Sequence, residues 1–217
     1  MEEIRIPVEQ GAVGASVTGE GGTVLVLGHG AGSHRKHPAL VSLANVLAAS
    51  GRRVLLYNFP YTEAKRRAPD PPAVLEATTR AVGEFARASL GAARLVHGGR
   101  SMGGRIASQV VAQGAPADAL VFLGYPLHPP GQPDRLRDRH LPEIRVPMLF
   151  VQGTRDAFAR PDLLDAVMGR LAETATLHRV PDADHSFNVP KRTGRSAVAV
   201  RDEIAGVITA WLGARNL

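Results

Sequence analysis

Gly99-Arg100-Ser101-Met102-Gly103 is the stretch on which the reading of this chain turns. It follows the apolar run Leu95-Val96-His97-Gly98 and precedes a helix-like segment from Met102 to Gln113. A serine between two glycines at a strand-to-helix break is the nucleophile-elbow pattern G-x-S-x-G. The turn is sharp, so the serine backbone is held in a strained conformation with its hydroxyl clear of the sheet. The flanking residues must be small where the helix passes close to neighbouring strands. The helix also aims free N–H groups at the place where negative charge would develop. The competing reading is a Gly-rich turn with an incidental serine, and the rest of the chain decides between them.

Working outward, apolar runs alternate with helix-length segments. Thr23-Val-Leu-Val-Leu27, Arg53-Val-Leu-Leu-Tyr57, Ala119-Leu-Val-Phe-Leu123 and Pro147-Met-Leu-Phe-Val-Gln152 read as strands buried on both faces. Thr176 to Val180 is the last strand, and Ile4–Val8 and Gly14–Thr18 are short edge strands. Helices are expected over Pro38–Ser50, from Asp70-Pro71-Pro72 to about Ser89, over Arg160–Glu173 and over 196–213, the last burying Val198, Ile204, Val207, Ile208 and Trp211. This alternation predicts an α/β fold, a mostly parallel sheet with helices on both faces, in one domain spanning residues 1–217. The stretch after Gly124 carries Pro126, Pro129, Pro130, Pro133, Pro142 and Pro147. It reads as a loop too short for a lid, so no cap domain is expected.

In a parallel sheet the carboxyl ends of the strands share one edge, where ligands bind. Ser101, Asp156 and His185 each stand just past such an end. Asp156 follows the serine by about two βα units and His185 follows Asp156 by about one, at roughly 30 residues per unit. The expected roles are nucleophile, orienting acid and general base. Asp182 and Asp184 compete for the acid role, but sequence neighbours rarely face the imidazole correctly. His97 reads as a core histidine.

Gly28-His29-Gly30-Ala31-Gly32-Ser33 leaves the first buried strand and admits two readings. A dinucleotide-binding loop would need a helix opening at its third glycine and an acid closing the next strand. Here Pro38 delays the helix and Asn58 stands where the acid belongs. The alternative is an oxyanion loop, with Ala31 and Met102 as the N–H donors. Candidate pocket-lining residues are His29, Gly30, Gly32, Tyr61, Arg100 and His128, with a structural role competing for His29, loop packing for Tyr61 and His128, and the pinning of a neighbouring loop for Arg100. His34 and His37 form an H-x-x-H pair with no evident third ligand, so no metal is expected, and no cofactor.

Composition narrows the function classes. The chain has 217 residues, 44% hydrophobic and 21% charged, and no cysteine. Thiol catalysis, disulfides and thiolate metal sites are therefore excluded. The net charge is +6, with clusters at Lys65-Arg66-Arg67, Arg135–Arg139, and Lys191-Arg192 with Arg195. With 5% aromatics and no basic run interleaved with aromatics, a nucleic-acid partner is not expected. No segment approaches the ~20 apolar residues of a membrane span, and the N-terminus has no signal-peptide pattern, so a cytoplasmic protein without membrane contact is expected. Association with further copies of the chain is left open.

Taken together, His29-Gly-Ala-Gly32, Gly99-Arg-Ser-Met-Gly103, Gly153-Thr-Arg-Asp156 and Asp184-His-Ser-Phe187 resemble the α/β-hydrolase superfamily. More narrowly, Gly28-His-Gly-Ala-Gly32, Asn58-Phe-Pro60, Gly98-Gly-Arg-Ser-Met-Gly-Gly104 and Gly124-Tyr-Pro-Leu-His128 are similar to small dienelactone-hydrolase-like proteins grouped with the testis-expressed hydrolase-like family. The resemblance covers almost the whole chain. It implies a three-layer α/β-hydrolase fold and the chain order Ser, Asp, His for the site. It further implies a serine hydrolase that cleaves a small-molecule ester or other acyl substrate through an acyl-serine. Dienelactone hydrolases commonly carry a cysteine nucleophile, so their substrate is not carried over. The alternative is an interaction module that keeps the fold without turnover.

Overall fold

A computed structural model describes every residue except Ala172. Eight strands form one sheet in the order β1-β2-β4-β3-β5-β6-β7-β8. The strands are β1 (Glu2–Val8), β2 (Gly11–Thr18), β3 (Thr23–Gly28), β4 (Arg53–Tyr57), β5 (Arg94–Arg100), β6 (Ala119–Leu123), β7 (Met148–Gly153) and β8 (Ala175–Val180). The hairpin β1–β2 is antiparallel and adds antiparallel to β4, while every pairing from β4 through β8 is parallel.

The helices are α1 (Pro38–Ala49), α2 (Pro60–Glu63), α3 (Pro72–Ser89), α4 (Met102–Ala112), α5 (Pro161–Arg170) and α6 (Ala197–Gly213). The apolar runs are continuous because each strand is covered twice. Leu25 and Leu27 of β3, Val121 and Leu123 of β6, and Leu149 and Val151 of β7 face α1 and α6. Their alternating neighbours face the other layer: Val24 and Val26 pack with α3, and Leu120, Phe122, Met148 and Phe150 pack with α5 and the 124–147 loop. That is the covered parallel sheet the strand–helix alternation predicts and the three-layer α/β-hydrolase fold the resemblance implies, with no cap domain among the described residues.

Two local expectations change. The loop after β4 contains the short helix α2, started by Pro60 in the first-turn position where a missing N–H costs nothing. Val198, expected in the core, is 55% exposed, since the whole first turn of α6 over 197–199 is exposed and burial begins at Val200; Val207, also expected there, is half-buried.

Candidate active site

The elbow is built from close backbone contacts. Gly28 and Gly99 stand opposite each other in the β3–β5 register. A Cβ on Gly99 would lie 2.6 Å from the Gly28 nitrogen, and one on Gly103 would lie 2.8 Å from the Gly28 Cα. Gly99 has φ +143°, which a side chain opposes. Ser101 follows with φ 49° and ψ −115°, outside the regions a non-glycine residue ordinarily occupies. The surrounding backbone holds it there: the Ser101 N–H donates to the Leu123 carbonyl at 3.0 Å, and the Ser101 carbonyl accepts from the Arg105 N–H at 3.0 Å.

Three side chains meet above this turn. Ser101 Oγ lies 2.8 Å from His185 Nε2, and His185 Nδ1 lies 2.7 Å from Asp156 Oδ2. The Asp156 carboxylate is fully buried and otherwise satisfied. Its Oδ2 accepts from Gln152 Nε2 at 2.5 Å, and its Oδ1 accepts from the Phe158 N–H at 2.7 Å. Gln152 is itself oriented, since its Oε1 accepts the Tyr125 N–H at 2.8 Å. An ionised carboxylate accepts only, so Nδ1 donates to Asp156 and Nε2 is left to accept from the serine hydroxyl. The Phe158 ring stacks on the imidazole at 4.1 Å between centroids.

The loop carrying His185 is folded on Asp184. Asp184 Oδ1 accepts from the N–H groups of Ser186 at 2.7 Å and Asn188 at 2.9 Å, and these contacts hold its carboxyl below the usual range against the opposing effect of burial. Asp184 therefore shapes the loop and does not meet the imidazole. Gly153 admits the loop, since a Cβ there would lie 2.7 Å from the Asp184 carbonyl oxygen.

Gly30 sits against the serine: a Cβ on it would lie 3.6 Å from Ser101 Cβ. Ala31 and Gly32 follow in an exposed turn closed by the Ser33 N–H on the Gly30 carbonyl at 3.2 Å. Met102 is the first residue of α4, whose opening N–H groups have no acceptor within the helix. No helix opens at the glycines. The turn runs to His37, the residue preceding α1, which is not the layout a dinucleotide loop requires.

Three of the candidate pocket-lining residues have buried side chains, although His128 borders a shallow cleft beside Asp156. His29 is fully buried: its Nδ1 donates to the Gly30 carbonyl at 2.8 Å and its Nε2 accepts the Phe59 N–H at 3.3 Å. Burial lowers its pKa to about 4, so the ring is a neutral brace under the loop. Tyr61 is 1% exposed because α2 turns its ring against Phe59 and His29. His128 is also buried, donating from Nδ1 to the Pro129 carbonyl and accepting the Arg160 N–H on Nε2 at 3.0 Å. His29 and His128 instead satisfy backbone groups of neighbouring loops, while the Tyr61 hydroxyl is buried without a hydrogen-bond partner among the described residues. Arg66, near the same edge, pairs with Asp70. Gln152 and Phe158, which fix the acid and the imidazole, carry no signal in the sequence.

His34 is exposed and His37 partly buried. Among the described residues no group of three or more His, Asp or Glu side chains is placed to hold a metal ion, and no helix is long and apolar enough to cross a membrane.

Comparison with known proteins agrees with this architecture. The family profile described as the alpha/beta hydrolase domain matches residues 21–213, and the chain belongs to that family. Among solved structures, the chain is similar to a dienelactone hydrolase from Anabaena variabilis (TM-score 0.77, 19% identity, covering 98% of this chain and 97% of that one). It is also similar to an α/β serine hydrolase without a lid from Xanthomonas campestris (TM-score 0.71, 19% identity, 97% and 94% covered). A third is the esterase Est1E from Butyrivibrio proteoclasticus with ferulic acid bound (TM-score 0.77, 13% identity, 97% and 99% covered). At these identities the likeness is one of fold.

Proposed function

We propose that the protein is a serine hydrolase that cleaves a small ester or related acyl substrate through an acyl-serine intermediate. The observation that carries this reading is the hydrogen-bonded line from Ser101 Oγ to His185 Nε2 at 2.8 Å and from His185 Nδ1 to Asp156 Oδ2 at 2.7 Å, set on a strained turn.

As Ser101 Oγ attacks the carbonyl carbon, its proton passes to His185 Nε2. Asp156 holds the imidazole in the required tautomer and stabilises its charged form. The carbonyl oxygen becomes an oxyanion that the N–H groups of Met102 and Ala31 receive, a contribution of roughly 3 kcal/mol per donor. The bond to the leaving alcohol then breaks, and the alcohol oxygen takes the proton from His185. Water repeats the sequence on the acyl-serine and releases the acid. The lack of a cap domain argues for a short, accessible substrate rather than a long-chain lipid.

The test is pre-steady-state hydrolysis of 4-nitrophenyl acetate. A burst of about one equivalent of nitrophenol, lost in Ser101→Ala, is the expected result. A folded wild-type protein with no burst and no turnover on any ester would favour a binding module in its place.

A further inference from the structure

A pocket of about 130 Å³ opens between α1, the start of α6 and the loop that carries His185. Its walls are apolar: Leu40, Leu43, Leu123, Phe187, Val200 and Ile204. Arg100 also lines it, directly before the serine in the chain, and so does Ser186, directly after the imidazole. The pocket is thus walled by the chain neighbours of both the serine and the imidazole. A dry cavity of about 150 Å³ takes a benzene molecule, so this one takes a group of similar bulk.

Arg100 is the anomaly on this wall. Its guanidinium makes one hydrogen bond, from Nη2 to Ser186 Oγ at 2.6 Å, and no carboxylate oxygen of a described residue lies within ion-pair distance of it. Burial works against its charge, and Asp184 and Asp156 support that charge only from further away. The second arginine of the wall, Arg201, differs. Its Nε and Nη2 are both taken by Asp202, and its Nη1 by Ser42. No acidic side chain lines the pocket. A half-buried guanidinium with unused donors at the edge of an apolar pocket is satisfied by an anion that brings its own apolar body.

We infer that this pocket is a specificity site for a carboxylate carried on a compact apolar frame, with Arg100 receiving the carboxylate and the leucine-rich wall receiving the frame. As a substrate class this means esters bearing a free carboxylate about a phenyl ring's length from the scissile carbonyl. The catalytic part of this inference rests on Ser101 as nucleophile, while the binding part does not.

Two measurements separate them. Titration calorimetry with benzoate and with benzamide, its neutral counterpart, reads the pocket alone. The protein is expected to bind benzoate at least tenfold more tightly, and Arg100→Gln is expected to reduce that preference to near one, since a hydrogen bond to a charged group is worth roughly ten- to a hundredfold. Ala197→Phe, at an exposed position of the pocket wall, is expected to weaken both ligands by filling the space. Equal binding of the two by the wild-type protein, or a preference untouched by Arg100→Gln, overturns the inference.

Kinetics locate the carboxylate. 4-Nitrophenyl hydrogen adipate is compared with 4-nitrophenyl hexanoate for the acyl side, and 4-acetoxybenzoate with its methyl ester for the alcohol side. One pair is expected to show a tenfold or greater preference in kcat/KM for the charged ester, carried by KM and lost in Arg100→Gln. Turnover of 4-nitrophenyl acetate with no preference in either pair sinks the specificity site and leaves the hydrolase reading standing. No turnover with intact benzoate selectivity does the reverse.

Discussion

Replacing Gly99 by alanine puts the elbow's construction to a quantitative test. The new Cβ would lie 2.6 Å from the Gly28 nitrogen and 2.9 Å from its carbonyl carbon, and both are backbone atoms of the adjoining central strand. Neither can swing aside as a side chain would. Overpacking of this kind costs about 1–3 kcal/mol. Holding a non-glycine residue at φ +143° adds about 1–3 kcal/mol more. The sum, about 4 kcal/mol, is a large share of the ~5–15 kcal/mol by which domains are stable. For a chain of this size each kcal/mol lowers Tm by roughly 2–4 °C, so Gly99→Ala should melt about 8–16 °C below the wild type. The control is Gly206→Ala on the exposed side of α6, where a Cβ meets nothing within 4 Å. A glycine inside a helix costs up to about 1 kcal/mol relative to alanine, so this change should raise Tm by about 2–4 °C. Differential scanning calorimetry on the two variants decides the matter. A Gly99→Ala protein melting within about 3 °C of the wild type would refute the argument that backbone contact at Gly28 fixes the serine's position.

Asp156→Asn keeps the shape of the acid but lets the imidazole adopt the wrong tautomer; kcat for ester hydrolysis should fall by roughly 10³–10⁴ with little change in KM, and a loss below tenfold in steady-state kinetics would remove Asp156 from the mechanism. His97 is buried in β5, and burial lowers its pKa to about 4. Its folded-state pKa lies below the unfolded value of about 6.5, so the unfolded chain binds the extra proton first. The stabilisation is complete above pH 6.5 and is lost as pH falls from there towards 4, by up to about 3 kcal/mol. Urea unfolding of His97→Leu against the wild type at pH 7 and pH 4.5 should show a smaller acid-side loss in the variant, and parallel losses would contradict this reading.

How far the molecule can be read from its residues varies with the range of the forces involved. The parallel strands were legible because a strand covered on both faces must be apolar throughout, as in Thr23–Leu27 and Met148–Val151. The elbow was legible because a backbone crossing at Gly28 leaves no room for side chains at Gly99 and Gly103. The positions of Ser101, Asp156 and His185 followed from strand ends sharing one edge. What escaped was side-chain direction after the chain leaves the sheet. Tyr61 stands at the sheet edge by sequence, but the single turn of α2 swings it inward, and nothing in Phe59-Pro-Tyr-Thr62 states that rotation. His29 and His128 are candidates for the pocket only by standing on loops that leave the sheet edge, and their structural role, the competing reading, is the one the structure supports. Their burial follows from distant backbone N–H groups, of Phe59 and Arg160, that need an acceptor. Gln152 and Phe158 were invisible for the same reason, since their importance lies wholly in what they touch.

The central claim is that Ser101 is a nucleophile because His185 and Asp156 make it one. The most direct measurement is treatment of the folded protein with a fluorophosphonate, followed by mass spectrometry of the intact chain and of its peptides. The account predicts one adduct, on the peptide containing Ser101, formed far more slowly in His185→Ala and absent from that peptide in Ser101→Ala. An unmodified chain after prolonged exposure, or an adduct that persists at full yield when Ser101 is alanine, would contradict it.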